Sequence, residues 1–168
     1  MRTGPSHRPP PETRDAAIRI LIAYDTIQTG KRAEAIYERL LERLGDSFEF
    51  EQQLWRFDLL EDPVLRGLAA QDAAQADIVI VATDNDSDLP IAVQQWLESA
   101  LKQHVGAAAL VALTRHHKPP VQPYLEDVAR RGGMDFFAQA ADAANGSSLS
   151  LPLLSSIPQG RARWLTNN

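Results

Sequence analysis

Short apolar runs that alternate with amphipathic segments constrain the fold of this 168-residue chain more than any other feature. The runs are too short for typical helices and read as buried strands. Three of them occupy residues 18–24, 77–83 and 107–114, and two further strands are predicted over 48–57 and 134–140. In the segments between these strands apolar residues recur every three or four positions. This spacing predicts one helix after each of the first four strands.

Residue types that start or stop helices mark the limits of the predicted helices. Thr29 is predicted to cap the first helix, which follows it directly. Asp62 caps the second helix and Pro63 occupies its first turn, where a missing N–H costs nothing. The third helix is predicted to start at Pro90, and the fourth to end at the Gly-Gly pair 132–133.

The strict alternation of strands and helices predicts an α/β domain with a parallel sheet and helices on both of its faces. In such sheets ligands bind outside the carboxyl ends of the strands, near the point where strand order reverses. Three loops are therefore candidates for function, at residues 25–30, 83–90 and 114–120.

The two ends of the chain differ from this central domain, which is predicted over residues 17–140. Residues 1–16 are rich in proline without an apolar block, and they predict a disordered arm rather than a signal peptide or membrane anchor. Residues 141–168 predict an irregular tail in place of a closing helix. One sheet face would then need a cover, supplied by a second subunit in a homodimer or by apolar tail residues. Those residues are Leu149, Leu151, Leu153, Leu154, Ile157 and Trp164.

Composition excludes several classes of function. A net charge of −5 provides no basic surface for nucleic acid. The chain has no cysteine, which excludes disulfides, a thiolate nucleophile and cysteine-based metal sites. This composition is compatible with a reducing cytoplasm, and we expect a cytoplasmic location.

The first candidate loop reads Y-D-T-I-Q-T-G-K-R and favours an anion site. Backbone N–H groups at a helix start bind phosphate well, and Gly30 is expected to let a ligand approach the backbone. Lys31 and Arg32 are two cations in the first helical turn, where they oppose the helix dipole unless an anion is bound. The loop is not a Walker motif. The alternative is that both cations are simply solvated.

The second candidate loop, A-T-D-N-D-S-D-L-P, is acidic. Asp84, Asp86 and Asp88 have the spacing of the first calcium ligands of an EF-hand. Leu89 and Gln95 stand where that motif needs glycine and a bidentate glutamate, so calcium binding is not predicted. Under a simpler interpretation Asp88 caps the next helix and the other two aspartates are solvated.

Both loops resemble those of flavodoxins. Thr29 and Gly30 match the Thr-Gly of the family's Thr/Ser-x-Thr-Gly-x-Thr phosphate loop. Thr83 and Pro90 match the ends of its Thr-x-Gly-x-Gly-x-x-Pro segment at equal length. The resemblance covers about residues 17–140. It implies a three-layer, doubly wound, five-stranded sheet of strand order 2-1-3-4-5.

The resemblance also implies a function. A flavodoxin binds flavin mononucleotide (FMN) and shuttles electrons between redox protein partners, with no catalytic acid or base. The phosphate would lie on the first loop and the ring between loops 83–90 and 114–118, where nearby aspartates would lower the reduction potential. The residues implied at this site are Thr26, Gln28, Thr29, Gly30, Lys31, Arg32, Thr83, Asp84, Asn85, Asp86, Thr114, Arg115 and His116.

Departures from the family pattern leave two alternatives open. Asn85 replaces a glycine, and Asp84 stands where an aromatic residue often stacks on the flavin. These changes favour a structural or interaction domain that has lost its cofactor. A receiver-like phospho-acceptor domain is the other alternative, since Asp84, Thr114 and Lys118 echo its active site. A receiver needs an acidic pair after its first strand, however, and only Asp25 is available there.

Overall fold

The computed structural model describes residues 17–46, 48–103, 107 and 109–141. The predicted N-terminal arm and the tail from residue 142 onward lie outside the described residues. No helix among the described residues is long and apolar enough to cross a membrane.

The domain alternates strands and helices along the chain. The strands are β1 (Ile18–Tyr24), β2 (Phe50–Arg56), β3 (Ile78–Thr83), β4 (Ala109–Thr114) and β5 (Asp135–Ala140). The helices are α1 (Ile27–Leu44), α2 (Pro63–Gln75), α3 (Ile91–Gln103) and α4 (Gln122–Gly132), with a short 3-10 helix over Phe57–Glu61. The strands form one parallel sheet in the order β2-β1-β3-β4-β5, which confirms the predicted order.

Alternate residues of the central strands face two separate cores. On one face Leu21, Val81 and Leu110 pack with residues of α2, α3 and α4, including the fully buried Trp96. On the other face the sheet packs against α1. This helix lies mainly over β1 and β3, and it is the only described helix whose residues belong to that core. The sheet therefore has helices on both faces, as predicted.

The start of α1 differs from the sequence prediction. The cap is Thr26 rather than Thr29, and the helix begins at Ile27. The Thr26 hydroxyl accepts a 3.3 Å hydrogen bond from the Thr29 N–H, while the Thr29 hydroxyl accepts one of 3.0 Å from the Thr26 N–H. This reciprocal pair is a capping box in which threonine replaces the usual glutamate. Thr29 and Gly30 thus lie inside the helix.

The other predicted helix starts are closer to the structure. The Asp62 carboxylate accepts hydrogen bonds from the N–H groups of Val64 and Leu65, and Pro63 is the first residue of α2, as predicted. The helix α3 starts one residue after Pro90. At the end of α4, Gly133 has a positive φ in the left-handed region. Glycine commonly takes this conformation directly after a helix.

Candidate functional site

The three candidate loops follow β1, β3 and β4, which are neighbours in the sheet. Because the strands are parallel, their carboxyl ends meet at one edge, and the loops lie side by side there. The register pairs Tyr24 with Ala82 and Thr83 with Thr114, so the strands also end at similar heights.

Asp25 is the centre of this edge. One carboxylate oxygen, Oδ1, accepts a 2.7 Å hydrogen bond from the Thr29 hydroxyl. The other oxygen, Oδ2, accepts bonds of 2.7 Å from the Thr83 hydroxyl and 3.1 Å from the Asp84 N–H. Thr29 and Thr83 are both buried. A single carboxylate therefore joins the first turn of α1 to the end of β3.

Arg32 and Asp84 form a second link between the same two loops. The Arg32 guanidinium donates to Asp84 Oδ1 in a salt bridge. Their side chains are 31% and 29% exposed, so solvent screens this pair only in part. Of the two cations predicted to hold an anion, Arg32 is thus already neutralised by the protein itself, whereas Lys31 lies exposed on the surface of α1.

Gly30 lies against the ring of Tyr24. A Cβ added at Gly30 would lie 3.0 Å from Cδ2 of the Tyr24 ring. The small size of this residue therefore lets the Tyr24 ring lie against the first turn of α1. Gly30 is buried against this ring, and it also lines a small open pocket with Ile27 and Lys31, so ligand approach to its backbone stays a prediction. Gln28, two positions earlier, is exposed.

Side chains at the end of β3 and in the loop that follows accept hydrogen bonds from the backbone of this loop. The Thr83 hydroxyl accepts a 3.1 Å bond from the Asn85 N–H, and the Asn85 side chain accepts one of 3.3 Å from the Ser87 N–H. Side chains of this length commonly bond the backbone two residues later and stabilise a turn. Asn85 and Asp86 are exposed beyond it. Asn85 and Ser87, which replace the glycines of the flavodoxin pattern, thus form the turn themselves.

The loop after β4 is likewise closed locally. The Thr114 hydroxyl donates to the backbone carbonyl of His116 at 2.9 Å. Arg115 and His116 are exposed, and His116 Nε2 lies 4.0 Å from Asp86 Oδ1 in the neighbouring loop. Lys118 has a positive φ. This left-handed conformation is uncommon for a residue other than glycine.

We tested whether these groups fit the phosphate of FMN. Of the residues expected to hold phosphate, Thr29 donates its hydroxyl hydrogen to Asp25 and Arg32 donates to Asp84, so both are already bonded to carboxylates. A phosphate dianion would also lie against two negative side chains, which repel it. Thr29 and Arg32, as they are bonded here, do not fit the phosphate group.

The ring of FMN has no stacking partner of the usual kind in these loops. Residues 83–90 contain no aromatic side chain, and residues 114–120 contain only His116 and His117. The described residues contain no group of three or more acidic or histidine side chains that could hold a metal ion. At the candidate site, polar side chains at the carboxyl edge of the sheet therefore form hydrogen bonds and a salt bridge with one another.

Sequence reasoning missed the central role of Asp25. The sequence pattern indicates Asp25 only as one half of an incomplete receiver pair. The available signal is the position of Asp25 directly after β1, together with the threonines that end β3 and β4. An acceptor at the end of a central strand lies within reach of a hydroxyl at the end of the neighbouring strand, as Thr83 shows.

Comparison with solved structures supports the fold. No family model matches the sequence, and no curated protein matches it. The structure is similar to a flavo di-iron protein mutant from Thermotoga maritima, with a TM-score of 0.54 and 9% identity over 86% of this chain and 36% of that chain. It is also similar to a flavodoxin-like domain from Synechococcus sp., with a TM-score of 0.44 and 15% identity over 88% and 98% of the two chains. The chain spans about a third of the Thermotoga protein. At this identity the likeness shows a flavodoxin-like fold.

Proposed function

We propose that this chain is a flavodoxin-like interaction domain that does not use FMN. The observation that carries the proposal is that the Asp25 carboxylate accepts hydrogen bonds from the Thr29 and Thr83 hydroxyls. Asp84 similarly pairs with Arg32 in a salt bridge. The carboxylates supply the negative charge that a bound phosphate would otherwise bring, and they keep the edge stable without a ligand.

Exposed apolar side chains at the same edge support an interaction role. Ile27, Val64 and Ile91 are 67%, 72% and 73% exposed, the most exposed large hydrophobic residues described. They occupy the first or second position of α1, α2 and α3. In a parallel sheet these helix starts lie at the carboxyl edge. A contiguous apolar surface marks a protein-binding site, and these three exposed side chains are the ones that a partner at this edge would cover.

A variant that releases Arg32 tests the proposal. Without its carboxylate partner, Arg32 in Asp84→Asn is free to bind an anion, so phosphate and FMN should raise the melting temperature of this variant more than that of the wild type. Asp88→Asn is the matched control, because it removes an equal charge from an exposed position in the same loop. Equal thermal shifts in all three proteins, or a large shift in the wild type, would count against the proposal.

FMN binding with electron transfer to redox partners is the second candidate. It is supported by Thr29-Gly30 in the first loop and by the position of Pro90 at the end of the second. Binding would require Asp25 and Asp84 to release their donors. A cytoplasmic location stays a prediction, derived from the lack of cysteine.

We also propose a homodimer through the sheet face over β4 and β5. Phe137 of β5 is only partly buried on that face, next to the core that includes Val111. Light scattering of the full chain should give twice the 18.6 kDa chain mass, and Phe137→Lys should lower it. A concentration-independent mass of 18.6 kDa would instead favour the alternative, in which residues 141–168 cover this face.

A further inference from the structure

An open groove of about 470 Å³ runs along the outer face of α3. The α3 residues that line it recur every three or four positions from Ile91 to Lys102, so they share one face of the helix. Arg66 of α2 and Tyr124 of α4 border the groove from the two helices that pack beside α3. The groove is therefore elongated and spans about three helical turns.

Two cations lie at opposite ends of this groove. Arg66 is the fourth residue of α2 and Lys102 is the twelfth of α3. Both helices connect parallel strands and run away from the carboxyl edge of the sheet. At 1.5 Å per residue the two positions are about 12 Å apart along the helix axes. Neither side chain is ion-paired with a described residue, although Arg66 donates a hydrogen bond of 3.0 Å to the Leu60 carbonyl.

Glu98 also lines the groove, but its charge is already balanced. Arg131 donates to its two carboxylate oxygens at 2.6 and 2.8 Å, and the Tyr124 hydroxyl donates at 3.3 Å. The groove thus carries positive charge on a chain whose net charge is −5. Charge complementarity therefore favours an anionic occupant.

The lining between the two cations favours a peptide over a small anion. The side chains of Gln95 and Ser99 form no hydrogen bond with any described residue, so they are available to the N–H and C=O groups of a peptide. One small anion cannot span cations about 12 Å apart, whereas side chains four residues apart on an extended chain lie on the same side, about 13 Å apart. Ile91, which is 73% exposed, adds an apolar contact at the start of the groove.

We propose that this groove binds an extended acidic segment of a protein partner. Two carboxylates of the segment, four positions apart, pair with Arg66 and Lys102, and an apolar residue covers Ile91. The inference rests on the interaction role proposed above and specifies the chemistry of the partner. The groove does not use Asp25 or Asp84, so FMN binding by the wild type would overturn the proposed function without changing the result of a peptide titration.

NMR titration of the full chain at low salt tests the groove with a capped peptide of the order leucine, glutamate, three serines, glutamate, leucine. This order is the same from either end, so the probe suits either direction along the groove. Saturable amide shifts should appear at Gln95, Ser99 and Lys102, and binding should weaken as salt is raised. The same peptide with glutamine in place of both glutamates should bind about tenfold more weakly, since each exposed charge pair contributes about threefold.

Two variants and a control locate the binding. Lys102→Gln should weaken binding of the acidic probe about threefold. Arg43→Gln is the matched control, because Arg43 is the basic residue in the last turn of α1, as Lys102 is in α3, and it should leave binding unchanged. Ser99→Glu places a negative charge between the two cations and should weaken binding more than Lys102→Gln does.

Several results would overturn the proposal. They are the absence of saturable shifts, shifts that lie outside the groove, equal binding of the glutamate and glutamine peptides, and equal weakening by Lys102→Gln and Arg43→Gln. Equal binding of a thymidine hexanucleotide would also overturn it, because that result would show attraction to any polyanion.

Discussion

The Thr83 hydroxyl donates a 2.7 Å hydrogen bond to Asp25 Oδ2, although the two residues are 58 positions apart. Asp25 follows β1 and Thr83 ends β3, and these strands are neighbours in the sheet. The bond therefore joins the residue that follows β1 to the last residue of β3. Thr29 donates to the other oxygen of the same carboxylate at 2.7 Å.

Replacing Asp25 with alanine should destabilise the domain. The change leaves the buried Thr83 hydroxyl and the N–H of Asp84 without their acceptor, whereas the Thr29 hydroxyl keeps the Thr26 carbonyl at 2.8 Å. Hydrogen bonds to charged groups contribute about 1.5–3 kcal/mol, so we expect the free energy of unfolding to fall by about that amount. Urea denaturation measures it. Asp86→Ala, at an exposed position of the adjacent loop, is the control and should change stability little; an equal loss in both variants would contradict the role given to Asp25.

Gly67 and Gly133 both have room for a side chain but differ in backbone conformation. Replacing each with alanine should therefore change the stability of the domain in opposite directions. At both Gly67 and Gly133 an added Cβ would meet no atom within 4 Å. Gly67 lies within α2, and alanine is favoured over glycine inside a helix by about 0.5–1 kcal/mol. Gly133 instead has a positive φ. A side chain in this left-handed conformation costs about 1–2 kcal/mol. In thermal unfolding, the melting temperature of Gly67→Ala should be higher than that of the wild type and that of Gly133→Ala should be lower. Shifts of the same sign in both variants would refute this account.

Acid should weaken the contact between α3 and α4. Arg131 donates to Glu98 at 2.6 and 2.8 Å and to Asp127 at 2.8 Å. The hydrogen bond from Arg131 holds the pKa of Glu98 below its ordinary value, and that from Arg130 chiefly lowers the pKa of Asp127. Because both pKa values are lowered by folding, the stabilisation is complete above the ordinary values of 4.5 and 3.8 and is lost as pH falls through the lowered ones.

Arg131→Met isolates this contribution. We expect the pKa of Glu98, followed by NMR, to rise toward its ordinary value in this variant, and stability to fall less steeply with acid. The effect should be modest and should shrink in high salt, because these side chains are 38% and 40% exposed and solvent screens their charges. Arg43→Met, at the end of α1, serves as the control. A Glu98 pKa that is the same with and without Arg131 would disprove the assignment.

The sequence predicted the architecture well because periodicity reports burial directly. The run from Ile78 to Thr83 is buried at every position, as its continuous apolar character indicates. Alternation of strands and helices then leaves few topologies, and the flavodoxin resemblance selected the observed strand order. The limits of the elements were less accurate: β2 begins at Phe50 rather than at residue 48.

The interior of the candidate site was harder to predict, because side-chain partners at a sheet edge depend on three-dimensional register. The sequence predicted Thr29, Arg32 and Asp84 near the ends of two strands; in the structure Thr29 and Arg32 lie in the first turns of α1, and Asp84 follows β3. It did not show that Arg32 would pair with Asp84 rather than with a ligand. The predicted role of Gly30 rests on its lack of a side chain at the helix start, and in the structure the space beside it holds the Tyr24 ring, six residues earlier in the chain.

Titration of FMN into the purified full chain tests the central claim most directly. If the Asp25 and Asp84 carboxylates occupy the donors expected for phosphate, FMN fluorescence should show no saturable quenching at high micromolar protein. The protein should also be purified without a flavin absorbance band. Saturable quenching with one FMN per chain, weakened when Thr29 is replaced by valine, would contradict the account and identify the chain as a flavin-binding protein.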